Sequence, residues 1–155
     1  YAPITEPETP PADPEIPTFD KIVIHYLNSD LYITGTEYIY TNSNSGSSKF
    51  EVALSLQRSD AQVFTLVTNS DGTISFRKDD GSYLYCDANN VGFTTLQSDY
   101  TKFVLEEAEG GWFIRCAVAN YNGRPQYLEV YMGYLTCYSM GSNESLYIFL
   151  LEDAE

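Results

Sequence analysis

TISFRKDDGSYLYCDANNVGFTTLQSDYTKFVLEEAEGG, residues 73–111, holds four short apolar runs separated by turn chemistry. Residues 74–77, 83–86, 91–96 and 101–106 have the length and alternation of strands. Asp79-Asp80-Gly81-Ser82, Asp87-Ala88-Asn89-Asn90 and Gln97-Ser98-Asp99 supply turns between them. No window of the chain carries an apolar stripe at helical spacing for three turns. One helical turn at Glu106-Glu107-Ala108-Glu109 is the nearest approach, and Gly110-Gly111 ends it.

The same pattern occurs on both sides of this stretch. Upstream, Lys21-Ile22-Val23-Ile24-His25, Leu31-Tyr32-Ile33, residues 52–57 and Val63-Phe64-Thr65-Leu66 take the four positions. Downstream they fall to Phe113-Ile114-Arg115, Tyr127-Leu128-Glu129, Tyr134-Leu135-Thr136-Cys137 and Tyr147-Ile148-Phe149-Leu150. The units are 21–72, 73–111 and 112–155. A unit this small buries its apolar face only against its siblings. Three copies closed about an axis also remove exposed sheet edges. The expected fold is therefore an all-β β-trefoil, with another closed antiparallel barrel as the alternative.

Residues 1–20 hold six of the seven prolines, five acids and no base. They read as an extended Pro/Glu/Thr-rich linker, with one folded domain over 21–155. The chain's net charge is −14, and eight bases against seventeen acids leave −9 on residues 21–155. The bases are scattered, which speaks against nucleic acid and anionic membranes as partners. No run of eighteen apolar residues and no signal peptide is present, so membrane insertion is not expected. Beginning inside a linker, the chain looks like a piece of a longer exported protein.

Cys86, Cys116 and Cys137 fall at strand positions, where a thiol acts as a small buried hydrophobe. A single disulfide with one thiol left over is the alternative, and spacing assigns no pair. None sits in CxxC or beside a histidine, so metal and redox roles have little support. His25 is the sole histidine, too few for a triad, and reads as structural. No serine stands in GxSxG. Asp79-Asp80 and Asp71 are explained by turns, neighbouring carboxylates on a strand point to opposite faces, and no calcium-loop spacing occurs. These observations predict no enzyme and no cofactor.

Residues 117–126 form an insertion, with Asn122-Gly123 as a turn signal, and are expected to protrude as a loop. Tyr121, Asn122, Arg124, Tyr127 and Tyr131 there combine rings with hydrogen-bonding groups, as a pyranose-binding surface requires. Tyr85, Asp87 and Asn89 are the corresponding candidates in the central unit. Trp112, Tyr134 and Tyr138 lie near the same cluster. Residues 42–48 read as an exposed hairpin tip.

The last 55 or so residues carry a further pattern: Phe103-Val104-Leu105-Glu106, Ala108, Gly111-Trp112-Phe113, Asn120, Gly123, Tyr127-Leu128-Glu129, Tyr131 and Phe149-Leu150. It resembles accessory β modules of large secreted enzymes of Gram-positive gut bacteria, of the exported 5′-nucleotidase or phosphatase type. The threefold plan is distantly similar to ricin-type lectins, although their Q-x-W signature is absent. The resemblance implies an extracellular or cell-surface, monomeric, non-catalytic module. Its expected partners are a carbohydrate or cell-surface polymer and other domains of a parent protein. The competing expectation is a spacer that docks on its parent and binds no small ligand.

Overall fold

The structure, a computed structural model, describes residues 17–155 apart from residue 89, and leaves aside the side chains of residues 119 and 121. Twelve strands follow one another. β1 (Lys21–Tyr26), β2 (Leu31–Thr41), β3 (Ser48–Ser55) and β4 (Phe64–Thr68) form the first unit. The second comprises β5 (Ile74–Arg77), β6 (Tyr83–Asp87), β7 (Asn90–Thr94) and β8 (Phe103–Ala108). β9 (Gly111–Tyr121), β10 (Arg124–Tyr131), β11 (Tyr134–Ser139) and β12 (Ile148–Asp153) complete the third. Among the described residues no helix is long and apolar enough to cross a membrane.

The first and fourth strands of each unit close a ring. β1 pairs β4, β4 pairs β5, β5 pairs β8, β8 pairs β9, β9 pairs β12 and β12 returns to β1, all antiparallel. The remaining strands make the hairpins β2–β3, β6–β7 and β10–β11. A six-stranded barrel with three hairpins is the β-trefoil expected from the repeat.

The registers reveal a threefold core. Ile22 faces Phe64, Ile74 faces Phe103, and Trp112 faces Phe149. Phe64, Phe103 and Phe149 are wholly buried, as are Ile24, Phe76 and Ile114 one pleat further along the first strands. Each unit thus supplies a phenylalanine and a large aliphatic or aromatic side chain that it cannot bury alone.

Two expectations are corrected. Residues 106–108 belong to β8, with the turn confined to Glu109-Gly110. Their outward–inward alternation against β9 outweighs helix propensity. The 117–126 insertion is a β-ribbon with a two-residue turn, because β9 runs to Tyr121 and β10 begins at Arg124. Asn122 and Gly123 both have positive φ, 52° and 76°, matching the right-handed strand twist. The tip of the next hairpin repeats this with Met132 and Gly133, at φ 55° and 84°.

His25 is buried at the barrel rim. It stacks on Tyr32, with ring centroids 4.2 Å apart. Its Nδ1 lies 3.1 Å from Glu152 and its Nε2 3.3 Å from Asp30. Asp80 accepts from the Ser82 N–H and hydroxyl, and Asp71 likewise from Thr73. Asp80 and Asp71 are turn-formers, as expected, whereas Glu106-Glu107 and Glu152-Asp153 lie on β8 and β12.

Candidate functional site

β3 and β11 pair across units, with Tyr134 opposite Ala53 and Leu135 opposite Val52. This brings the outer face of β2–β3 beside that of β10–β11. A groove of about 610 Å³ opens over the third unit, with Lys49, Arg124, Glu129, Tyr131, Tyr138 and Tyr147 in its walls. A second hollow of about 470 Å³ adjoins it, between Tyr38, Tyr40, Glu51, Met132 and Tyr134. Lys49 and Tyr131 border both.

Strand alternation decides what each groove contains. On β10, Gln126, Leu128 and Val130 point inward, which leaves Tyr127, Glu129 and Tyr131 on the outer face. Tyr131 is 56% exposed and Tyr138 49% exposed, so open rings edge the groove. Tyr38 stacks on Tyr134 with centroids 4.4 Å apart, fixing the wall of the second hollow.

The floor is charged yet buried. Glu51 and Glu129 are 6% and 7% exposed. Lys49 Nζ lies 3.1 Å from Glu51 and donates to the Thr136 hydroxyl at 3.4 Å. The Tyr147 hydroxyl donates to the Ser139 carbonyl at 3.1 Å. Desolvation pushes the Glu129 carboxyl above its ordinary range, opposed by the Tyr147 hydroxyl and by Lys49. Burial and the same carboxylate raise the Tyr147 phenol.

The central unit has a shallower counterpart. The registers Tyr83↔Thr94 and Tyr127↔Tyr138 make those pairs threefold equivalents. A cleft of about 310 Å³ lies between Tyr85, Asp87, Thr94 and Tyr100. By that equivalence Tyr85, Asp87 and Thr94 match Glu129, Tyr131 and Tyr138 of the third unit. The repeat therefore builds related concavities of unequal depth, and the third is the best furnished.

Comparison with known proteins places this architecture. Residues 41–143 match the Fascin domain, a β-trefoil family, over about two thirds of the chain. The chain belongs to the fascin-domain family. A search of curated proteins finds no sequence match to this fascin domain. Among solved structures it resembles SeviL, determined bound to the asialo-GM1 saccharide, at TM-score 0.64 and 15% identity. That match covers 89% of this chain and 100% of SeviL's. A GlcNAcα1-4Gal-releasing endo-β-galactosidase from Clostridium perfringens matches at TM-score 0.61 and 11% identity. The overlap is 87% of this chain but 32% of that enzyme's. At these identities the shared property is the fold.

The fascin domain separates the residues expected to make contacts. Arg124 and Tyr131 line the main groove, and Tyr85 and Asp87 line the central cleft. Asn122 sits exposed at the ribbon tip and lines neither. The Tyr121 side chain and Asn89 lie outside the described residues.

Tyr127 is engaged elsewhere: its hydroxyl donates to Glu106 at 2.7 Å, and Arg115 Nε donates to the same carboxylate at 2.8 Å. Burial, then Glu106, pushes its phenol up to about 12. Tyr127→Phe should cost about 1 kcal/mol of stability through the lost hydrogen bond and leave ligand affinity unchanged. Denaturant unfolding alongside binding measurements checks both parts. Lys49, Glu51 and Glu129 were not singled out by sequence. Glu129 alone carried a signal, two residues from Tyr127 and Tyr131 on one strand face.

The raised Glu129 carboxyl has a consequence for stability. A group raised in the folded state contributes stability below its unfolded pKa and loses it as pH rises through the folded one. Glu129→Gln, which cannot ionise, should therefore unfold at a higher temperature than the native chain at neutral pH. The gap should close as pH falls below the ordinary value of 4.5. Melting curves of both proteins across pH test this, and a Gln variant less stable at neutral pH would refute it.

Proposed function

We propose that this fascin domain is a non-catalytic, extracellular saccharide-binding module whose principal site is the third-unit groove. The observation that carries the reading is the combination of open tyrosine rings with a buried charged floor. Tyr131 and Tyr138 offer faces for the C–H side of a sugar, while Glu129, Lys49 and Arg124 offer acceptors and donors for hydroxyls. The folds of SeviL, determined bound to a saccharide, and of the endo-β-galactosidase, which releases one, support the reading. The central-unit cleft supplies a second, weaker position, and repeated sites raise avidity for a polymer. Attachment to a larger secreted protein belongs to the same proposal.

A second reading, docking onto a protein surface, draws on the exposed Ile39 and Met132 side chains at the hairpin tips. The two separate on a glycan array probed with the folded chain. Saccharide signals lost in Tyr131→Ala support the module; silence across sugars of every class rejects it.

A further inference from the structure

All three cysteines of the chain meet at one point. Cys86 on β6, Cys116 on β9 and Cys137 on β11 are 0%, 2% and 1% exposed. Their sulfurs all lie within 4.8 Å of one another, and none forms a disulfide. Serving as small hydrophobes explains why each is buried. It does not explain why they converge.

The repeat does not explain it either. Through the strand registers, the threefold counterparts of Cys116 are Tyr26 and Lys78, and those of Cys137 are Leu54 and Phe93. Cysteine therefore stands at three symmetry-unrelated positions that happen to point at one spot. Polar atoms border that spot inside an apolar core. The Cys137 thiol donates towards Gln126 Oε1 at 3.8 Å and the Asn90 carbonyl at 3.9 Å, and Gln126 is fully buried.

We propose that Cys86, Cys116 and Cys137 bind one thiophilic cation as thiolates, with zinc the ion that fits best. Zinc–sulfur bonds of about 2.3 Å in tetrahedral geometry put sulfurs about 3.8 Å apart. Side-chain shifts of under about 1 Å reach that spacing from the present one. Three thiolates leave one position of the tetrahedron, and Gln126 Oε1 and the Asn90 carbonyl are the adjacent oxygens. Soft sulfur ligands select zinc or Cu(I) over magnesium and calcium. Binding sends three thiol protons to solvent, leaving one net negative charge with zinc and two with Cu(I). The smaller buried charge favours zinc. The site is closed to solvent in the folded chain, so loading accompanies folding.

The test refolds the full chain under reducing conditions with excess zinc chloride, and separately with Cu(I). Each product is desalted and examined by native mass spectrometry and metal analysis. One zinc per chain is expected, with the thiols shielded from alkylation until a chelator and denaturant are added together. Cys116→Val, a volume-preserving change, should lose the ion. Gln126→Leu should weaken it roughly 10- to 100-fold, as for other supporting groups of metal sites. Retention of Cu(I) alone keeps the site and assigns it to copper. Natively folded protein that retains neither ion overturns the proposal. If Cys116→Val does not fold, retention and shielding in the native chain still decide.

Discussion

Tyr131→Ala will fold normally and bind saccharide about 30-fold more weakly, the loss expected on truncating a dominant contact. Tyr131 is 56% exposed and borders both hollows beside the barrel. Its ring stands on the outer face of β10, so removing it leaves no cavity in the core. Stability should stay within about 0.5 kcal/mol of the native chain. The hairpin turn at Met132-Gly133, left-handed at both residues, follows it directly. Calorimetric titration with a saccharide selected from the array measures the effect. Equal affinities in the two proteins would remove the groove as the site. Tyr127→Phe is the matched control, since both tyrosines share one strand face and only one meets the groove.

Phe103→Ala is expected to be the most destabilising single change, at about 3–5 kcal/mol for a large aromatic removed from a packed core. For a chain of this size that lowers the melting midpoint by roughly 6–20 °C. Phe103 is fully buried, faces Ile74 and Cys116 in register, and packs on Phe76 with centroids 5.5 Å apart. Its counterparts Phe64 and Phe149 occupy the same place in the other units. A void at this level therefore opens between three units rather than inside one. Calorimetric melting of the variant gives the number. A shift under about 1 kcal/mol would mean that the barrel collapses around the hole.

The strands were legible because most are short and alternating, with Gly, Asn or Asp at many of their turns, although β2 and β9 run to eleven residues. Asp87-Ala88-Asn89-Asn90 and Asn122-Gly123 marked their hairpins correctly. The repeat then made closure about an axis the expected way to bury Phe64, Phe103 and Phe149 together. The groove was only half legible. Arg124 and Tyr131 were visible as a polar–aromatic pair near a turn. Lys49 and Glu51 were not, because they reach the site through the β3–β11 pairing across more than eighty residues. No local pattern encodes that pairing. Tyr127 misled for a related reason: its partner Glu106 lies on β8 and reaches it across β9. The cysteines show the same limit, since spacings of 30 and 21 residues say nothing of three strands meeting.

β1 and β12 run side by side from Ile22 opposite Asp153 to Tyr26 opposite Phe149, and the Ala154 N–H donates to the Lys21 carbonyl at 3.1 Å. Polypeptide fused before β1 and polypeptide fused after β12 therefore emerge from one corner of the barrel. A short bridge between those two points, with a new opening at residues 43–46, would reorder the chain while severing no ladder. Such a circular permutant would carry its fusion partners at the β2–β3 tip, on the side of the hollow between Tyr38, Tyr40 and Tyr134, and so turn those rings towards whatever it is joined to.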